Sequence, residues 1–283
     1  MRKLAGLLVF LCLCLIPFGC SKSEPSEPGP INPAPISAEP PALTVLAVYY
    51  PKFTATDAYL VREVHQIPAT EAVANAALRE LIHTDPTTPG ASRVLPANTR
   101  VLGIHIAPDG LATINFSSDI LAANVGAAGE ALGIASIVNT LTEFPTISRV
   151  AFQVNGQVDE RTRDWWGHIG LHEQPFSRDL SQVYEPAIWI SNPRPEQKIS
   201  SPVTISGSAR VFEAALQVQL ISSEGSVLAQ ACAQASEGAP GRGDYSASLR
   251  FDSAKPGRGW IEAWSDSPKD GSRQHLYRVP VSW

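Results

Sequence analysis

The residues of this chain that could take part in chemistry are its histidines, its cysteines and a few carboxylates near aromatic rings. The histidines are scattered, and none stands beside a recognisable serine or cysteine nucleophile motif: His65, His83, His105, His168, His172 and His275. His168 and His172 have the i, i+4 spacing of two metal ligands on a helix. Ile169 stands where such a motif carries its catalytic glutamate, and Gly167 and Gly170 disfavour a helix. We therefore predict no catalytic residue, no metal and no cofactor; an unrecognised hydrolase is the enzymatic alternative.

An aromatic pair suggests a second kind of chemistry. Trp260, Glu262 and Trp264 alternate with Ile261 and Ala263, so the first three lie on one face of a predicted strand. In one interpretation they bind a glycan such as peptidoglycan, because indole rings stack on sugars and the carboxylate accepts hydrogen bonds. In the other, which we favour, one or both rings fill a sheet core and leave Ile261 and Ala263 outside. The exposure of the rings distinguishes the two.

Three further patterns are better explained by structure than by binding. Residues 241–244 contain an Arg-Gly-Asp tripeptide, but glycine-rich tight turns use the same residue types. Asp266 and Asp270 match no EF-hand spacing and predict a charged turn. Cys232 alternates with small alanines in a predicted strand, which indicates a small buried side chain.

A helix and a strand between residues 133 and 156 organise the first half of the chain. The apolar residues of the helix recur at steps of three and four and line one face: Ile134, Ile137, Val138, Leu141 and Phe144. Pro145 ends the helix, and alternating apolar residues from Val150 onward predict a strand. Asn139, Thr140 and Thr142 point away from the apolar stripe. They could brace the Pro145 turn or form a partner surface.

The elements before this helix complete a small α+β domain over residues 43–156. Strands are predicted from Leu43 and from Tyr59, and a helix with Thr70 as its N-cap follows them. Asp109-Gly110 between alternating apolar residues predicts a hairpin. We expect one small mixed β-sheet covered on one face by two helices.

The second half of the chain has the pattern of an all-β domain. Residues 157–185 are predicted to be an amphipathic linker. From 186 to 283, about seven short apolar stretches are separated by clusters of Gly, Pro, Asp and Ser. That count and spacing predict an immunoglobulin-like sandwich without a disulfide.

The N-terminus predicts export and a lipid anchor. Residues 1–20 combine a basic start with an apolar stretch, as in a signal peptide. Cys20 follows Gly19 in an imperfect lipobox, so we expect lipidation there; ordinary secretion is the alternative. Residues 21–42 are rich in proline and predict an extended tether. The expected location is the cell envelope, on the outer side of the cytoplasmic membrane, or in the periplasm or outer membrane of a Gram-negative cell.

The charge of the chain disfavours one class of partner. The net charge is -5, and no Lys/Arg run occurs beyond the N-terminus. Because phosphate binding needs a concentrated basic patch, we predict no nucleic-acid partner.

Four motifs in residues 43–156 resemble the GerMN domain, the sporulation and spore germination family of bacterial envelope proteins: LPANTRVLGIHI, DGLATINFS, IVNTLTEFP and VNG. Residues 186–283 resemble the immunoglobulin-like domain of bacterial spore germination, through NPRPEQKISSPVTISGSARVFEAALQVQL, GAPGRG and WSDSPKDGS. The two families often occur in one chain. The resemblance implies a non-catalytic lipoprotein that binds other envelope proteins, acting in sporulation or spore germination where the organism forms spores. Edge strands are plausible docking sites.

Overall fold

The computed structural model describes residues 42–123, 125–165, 170–252 and 254–283. The described residues belong to one compact unit, in which two domains follow each other along the chain. The helices and strands of the first domain are β1 (Leu43–Phe53), β2 (Ala58–Pro68), α1 (Val73–His83), β3 (Val101–Ile106), β4 (Leu111–Phe116), α2 (Ala127–Leu141), β5 (Arg149–Val154), α3 (Glu160–Arg163), β6 (Phe176–Ser177) and β7 (Val183–Glu185). A 3-10 turn lies at Ser118–Ala122.

The long hairpin β1–β2 opens the first domain. Its strands pair antiparallel from Leu43 opposite Pro68 to Phe53 opposite Ala58. One face of the hairpin joins the domain core through Leu46, Val48 and Val61. The alternate residues face the other way, where the second domain packs. The hairpin therefore has two buried faces along part of its length, which accounts for the consecutive buried residues Val48, Tyr49 and Tyr50 of β1.

The predicted α+β class is confirmed, but the strands form two sheets where we expected one. Among the described residues, β1, β2 and β7 make one sheet, and β3, β4, β5 and β6 make the other. The Asp109-Gly110 turn joins β3 and β4 as predicted, and β4 pairs parallel with β5. Both sheets and both long helices contribute to one apolar core, so the domain needs no continuous sheet.

The bounds of the two long helices differ in part from those predicted. α1 starts at Val73, and its N-cap is Ala72. The prediction that Thr70 is the N-cap is therefore wrong, and the Thr70 hydroxyl accepts a hydrogen bond from Ala72 N. α2 starts after Gly126 and ends at Leu141, before Pro145. α2 is buried along most of its length because it packs on β1, β2, β5 and α1.

The segment predicted as a linker is built into the first domain. β6 pairs with β5, and β7 pairs parallel with β2, so residues 176–185 extend both sheets. Short pairings of this kind give little local sequence signal. The chain then passes directly into the second domain.

The second domain is a two-sheet sandwich with β8 (Ile188–Asn192), β9 (Gln197–Lys198), β10 (Val203–Ala209), β11 (Ala215–Ser222), β12 (Val227–Gln234), β13 (Gly243–Leu249), β14 (Arg258–Asp266) and β15 (Arg273–Ser282). One sheet has the order β13-β10-β8 and the other β12-β11-β14-β15-β9. Alternate residues of both sheets fill the core between them, including Ile205, Val218 and Ile261. The seven longer strands match those predicted.

Candidate functional site at the domain junction

A cluster of charged and aromatic side chains lies where the two domains meet. It joins Tyr49 of β1, Arg62 of β2, Glu143 just after α2 and Arg178 just after β6. The Tyr49 hydroxyl donates to Glu143 Oε1 at 2.5 Å, and Arg62 donates to both carboxylate oxygens at 3.2 Å. Arg178 Nη2 donates to Glu143 Oε1 at 2.7 Å. One carboxylate therefore holds together two strands, a helix end and a loop.

The strand register and the position of α2 assemble this cluster. Tyr49 lies opposite Arg62, on the hairpin face that points away from the first-domain core. The main-chain N–H of Tyr49 donates to the Thr140 hydroxyl at 3.1 Å, and the Ser136 hydroxyl donates to the Tyr49 carbonyl. These bonds hold α2 along the outer edge of β1. Glu143, two residues beyond the end of α2, consequently reaches Tyr49 and Arg62.

The surroundings of Glu143 keep it ionised. Burial would raise the pKa of the Glu143 carboxyl, but Arg62, Arg178 and the Tyr49 hydroxyl outweigh burial and hold that pKa at about 2. Burial and the neighbouring Glu143 raise the pKa of the Tyr49 phenol, which therefore stays protonated and donates. A carboxylate so firmly paired is a poor base near neutral pH. The ion pairs and hydrogen bonds of the cluster stabilise the packing of these elements against one another.

Trp189 of β8 connects this cluster to the second domain. The indole is 1% exposed and packs with Tyr49, Leu60 and Val183. The guanidinium of Arg62 lies 5.0 Å from the ring centroid, and that of Arg242 lies 4.1 Å from it. Guanidinium stacking on a desolvated indole is favourable. One arginine from each domain thus holds the same aromatic ring.

Arg242 also fixes the chain that enters the second domain. Its guanidinium donates to the main-chain carbonyls of Val183, Pro186 and Ala187, at distances of 2.9, 2.7 and 3.2 Å. Burial lowers the pKa of Arg242, and these acceptors compensate for lost water. The arginine of the Arg-Gly-Asp tripeptide is therefore a buried anchor rather than an exposed recognition residue.

A second polar cluster lies on the core side of β2. Glu63 Oε2 is 2.9 Å from His65 Nε2, and Glu80 Oε1 is 2.8 Å from His65 Nδ1. Glu63 also accepts from the main-chain N–H groups of Thr87 and Thr88, at 2.9 and 2.7 Å. Burial would raise the pKa of Glu63, but the hydrogen bonds from Thr87, His65 and Thr88 outweigh burial and hold it at about 2. The cluster ties the loop after α1 to β2.

A cleft of about 460 Å³ opens beside β2 at the same junction. Its lining comes from both domains and from the chain between them: residues 61–64, 87–88, 185–187 and 275–276. The first two ranges belong to the first domain, and the last belongs to β15. The cleft is thus a feature of the assembled pair of domains.

Family comparisons agree with this two-domain structure. A model described as "Sporulation and spore germination" matches residues 47–160, and a model described as "Immunoglobulin-like domain of bacterial spore germination" matches residues 187–272. The two domains belong to these two families. The first is a GerMN domain, and the second is the immunoglobulin-like domain that the sequence motifs indicated.

The first domain is similar in sequence to a GerM protein of Bacillus subtilis. The spore germination protein GerM of strain 168 is 32% identical over 102 residues, which are 35% of this chain and 27% of that protein. The solved first GerMN domain of the sporulation protein GerM is 26% identical, with a TM-score of 0.38, over 48% of this chain and 96% of that one. The solved tandem GerMN domains are 17% identical, with a TM-score of 0.39, over 85% and 60%. Both TM-scores are low, so the assignment rests on the sequence matches.

The GerMN helix residues that we considered for partner binding are used inside the fold. Asn139 and Thr140 are fully buried. Asn139 Nδ2 donates to the Asp179 carbonyl at 2.6 Å, and Asp179 N donates to Asn139 Oδ1 at 3.0 Å. Thr142 is half-buried, and its hydroxyl donates to Val138 O within α2. The expected partner surface at Asn139 and Thr140 is therefore wrong, because β1 and the segment at Asp179 cover that side of α2.

The tryptophans of the immunoglobulin-like domain are placed differently from either interpretation. Ile261 and Ala263 fill the sandwich core, contrary to the interpretation that we favoured. Trp264 lies on the outer face but is only 2% exposed, because the Arg273 guanidinium covers it at 3.9 Å from the ring centroid. Trp260 is half-buried. The open aromatic platform of the glycan-binding interpretation is therefore absent at Trp264.

Glu262, the carboxylate of the glycan-binding interpretation, also has partners within the domain. It is 1% exposed, accepts from Gln219 Nε2 at 2.5 Å and pairs with Arg278 Nε at 2.6 Å. Arg273 lies 3.7 Å from its other oxygen. Two arginines that fold over the outer face of the sheet thus cover both Glu262 and Trp264.

The remaining residues considered from the sequence are distributed over the surface. Cys232 is exposed on β12, so the prediction of a buried side chain is wrong: its strand lies at a sheet edge with that face open. His172 is exposed and lies 3.5 Å from Asp164. Cys20 and His168 lie outside the described residues. Within the described ranges, we find no cluster of His, Cys, Asp or Glu suited to a metal, and no helix long and apolar enough to cross a membrane.

Sequence reasoning missed the residues of the junction itself. The four residues of the cluster lie on or next to four different elements, and Arg178 and Tyr49 are 129 residues apart. The available signal was charge in an unusual place. Arg62 directly follows the apolar residues Tyr59, Leu60 and Val61 of a predicted strand, where a charged residue needs a buried partner.

Proposed function

We propose that the protein is a non-catalytic component of the bacterial cell envelope that binds other envelope proteins, acting in sporulation or spore germination. The observation that carries the proposal is the succession of two domains from spore germination families in one chain. The junction supports it, because Arg62 of the first domain and Arg242 of the second both stack on Trp189 and hold the domains together. A binding protein gains affinity when its surfaces are held in a fixed arrangement before the partner arrives.

The proposal includes export and attachment to a membrane through a lipid on Cys20. It is supported by the signal-like residues 1–20 and by the proline-rich segment that follows them. The test is membrane fractionation of cells that express the protein or its Cys20→Ala variant. We expect the lipidated protein in the membrane fraction and the variant in the soluble fraction. A variant that remains membrane-bound after signal cleavage would refute the anchor.

The binding role is tested by crosslinking in the native host, followed by affinity purification of the tagged full-length protein. We expect envelope proteins to be enriched relative to the Cys20→Ala variant, which is placed differently in the cell. The same strain, when deleted for the gene, is expected to be impaired in sporulation or germination if the organism forms spores. Recovery of no envelope protein in repeated experiments would contradict the proposal.

A further inference from the structure

One edge of β2 is left unpaired beyond its short contact with β7. The main-chain N–H of Leu60 donates to Gln182 O at 2.7 Å, so the N–H of Leu60 points toward this edge and away from β1. N–H groups alternate between the two edges of a strand, which places Arg62, Val64 and Gln66 on the same side. The pairing of Tyr49 confirms this alternation of N–H directions. It stands opposite Arg62 and turns its own N–H away from β2.

The neighbouring strand stops before it covers this edge. β7 ends at Glu185, and Pro186 follows it without an N–H to offer. Within the described part of the chain, we find no main-chain partner for Val64 or Gln66 on this side. The cleft of about 460 Å³ lies here, because its lining includes residues 61–64 and 185–187. It occupies the place where a further strand of the sheet would lie.

The wall on the core side of the cleft is held by hydrogen bonds. Thr87 and Thr88 line it, and both donate their N–H groups to the buried carboxylate of Glu63. Glu63 in turn contacts His65. The loop is therefore fixed beside β2 in advance, and an incoming segment need not order it.

The wall on the other side is formed by a β-bulge. Ala263 pairs with Tyr277 and Ser265 pairs with Gln274, so His275 and Leu276 together oppose one residue of β14. His275 has φ 58°, a left-handed conformation that residues with a side chain adopt uncommonly. Bulges re-aim side chains, and this one brings Leu276 to the cleft.

The cleft presents apolar side chains next to unpaired main chain. Val64 is 42% exposed and Leu276 is 46% exposed. The charged residues of the lining already have partners: Arg62 binds Glu143, and Glu185 binds Lys52 at 2.9 Å. An uncharged, extended segment with apolar residues at alternate positions fits this chemistry.

We propose that an extended segment of a partner protein adds to the β2 edge at Val64 and Gln66, with alternate apolar side chains against Val64 and Leu276. The inference rests on the proposed function, because it assigns a surface to the binding of envelope partners. Strand addition supplies affinity through main-chain hydrogen bonds and specificity through alternate side chains. The segment before β1 is a poor occupant, since residues 21–42 carry proline at seven positions, and each proline removes an N–H and disfavours strand pairing.

The test is selection of peptides from a random phage-displayed library on the purified protein without its signal peptide. A Val64→Pro variant removes the main-chain N–H that faces the cleft. The hydrogen bonds between β2 and β1 remain, because the residues on either side of Val64 make them. A Val64→Thr variant changes the side chain and keeps the N–H. We expect selected peptides to bind Val64→Pro at least about tenfold more weakly and Val64→Thr nearly as well as the parent protein.

Hydrogen exchange gives a readout that does not require Val64→Pro to fold. In the parent protein, the Val64 and Gln66 amides are expected to exchange rapidly, and to slow at least about tenfold when a selected peptide is bound. The proposal is overturned if no peptide is enriched, if peptides protect other amides, or if folded Val64→Pro binds them equally. It is also overturned if the protein alone protects these amides by forming a dimer, because the occupant is then a second copy.

The two proposals fail in different experiments. If envelope proteins are recovered from the host while no peptide protects Val64, the binding role stands and the β2 edge is wrong. If peptides protect Val64 but crosslinking in the host recovers no envelope protein, the strand edge is real and the envelope role is wrong.

Discussion

Glu143 is the only anion within hydrogen-bonding distance of both Arg62 and Arg178 among the residues that the structure describes. Its replacement by glutamine keeps the shape of the side chain but leaves two largely buried guanidinium groups without a counter-charge. Removing one partner of a buried ion pair is far more costly than removing an exposed one. Glu143 therefore contributes to stability mainly because it neutralises Arg62 and Arg178.

We expect Glu143→Gln to lower the free energy of unfolding by about 3 kcal/mol, measured by urea denaturation. Asp109→Asn is the matched control, because Asp109 pairs with Arg149 in an exposed position. The control is expected to cost less than about 1 kcal/mol. Equal effects of the two substitutions would show that the ion pairs of Glu143 contribute no more to stability than an exposed pair does.

The low pKa of Glu63 predicts a loss of stability in acid. Its folded-state pKa of about 2 lies below the unfolded value of about 4.3, so its contribution is present above that unfolded value and disappears as the pH falls toward 2. In Glu63→Gln, the decline in unfolding free energy over this range should be flatter by up to about 1.4 kcal/mol per pH unit. Glu71→Gln, at an exposed position, is the control. An unchanged slope in Glu63→Gln would contradict the assignment.

At the scale of helices and strands, local pattern predicted the elements but not their neighbours. Asp109-Gly110 forms its hairpin, and Gly110 adopts φ 83°, where a side chain would also meet Ser148 Oγ at 2.7 Å. The periodicity of α2 predicted its apolar stripe. It could not predict that Thr140 would bind Tyr49, 91 residues earlier, because that contact depends on how the elements pack.

The same limit explains the errors about Asn139 and Trp264. Both were judged by the face of the element on which they lie, and each face is covered by a distant part of the chain. Asp179 covers Asn139, and Arg273 covers Trp264. A polar residue on the outer face of a predicted element is exposed only if nothing else packs there. Sequence periodicity carries no information on that point.

We expect Asn139→Ala to destabilise the protein by about 2 kcal/mol, because it leaves the N–H and C=O of Asp179 without partners. Limited proteolysis near residues 178–182 should become faster in this variant. Thr142→Ala is the control from the same helix, since its hydroxyl bonds only within α2. If both variants are cleaved at the same rate, Asn139 does not anchor this segment.

At the scale of the whole molecule, the junction predicts that the two domains unfold together. Trp189 packs with Tyr49 and Leu60 of the GerMN domain, although it belongs to the immunoglobulin-like domain. Arg242 and Arg62 stack on its ring from the two sides of the junction. Coupling of this kind makes the stability of each domain depend on the other.

Calorimetry should therefore show one transition for the parent protein and two for Trp189→Ala. The less stable domain of the variant is expected to lose about 3–5 kcal/mol, the usual effect of removing a buried tryptophan. Trp260→Ala is the matched control, because Trp260 is half-buried and lies outside the junction cluster. A single transition in Trp189→Ala would show that the domains are coupled by other contacts.

The hairpin at the start of the fold has a mechanical consequence. The preceding chain enters at Leu43, and all 11 residues of β1 pair with β2. A pulling force applied along β1 from Leu43 would act in shear on these interstrand hydrogen bonds. Many of them would then have to break at the same time. The hydrogen bonds that the Tyr49 main chain makes with the hydroxyls of Thr140 and Ser136 brace the opposite edge of the same strand. Tension applied at the N-terminal end of β1 would thus pass into a strand that is paired along its whole length and braced on its other edge.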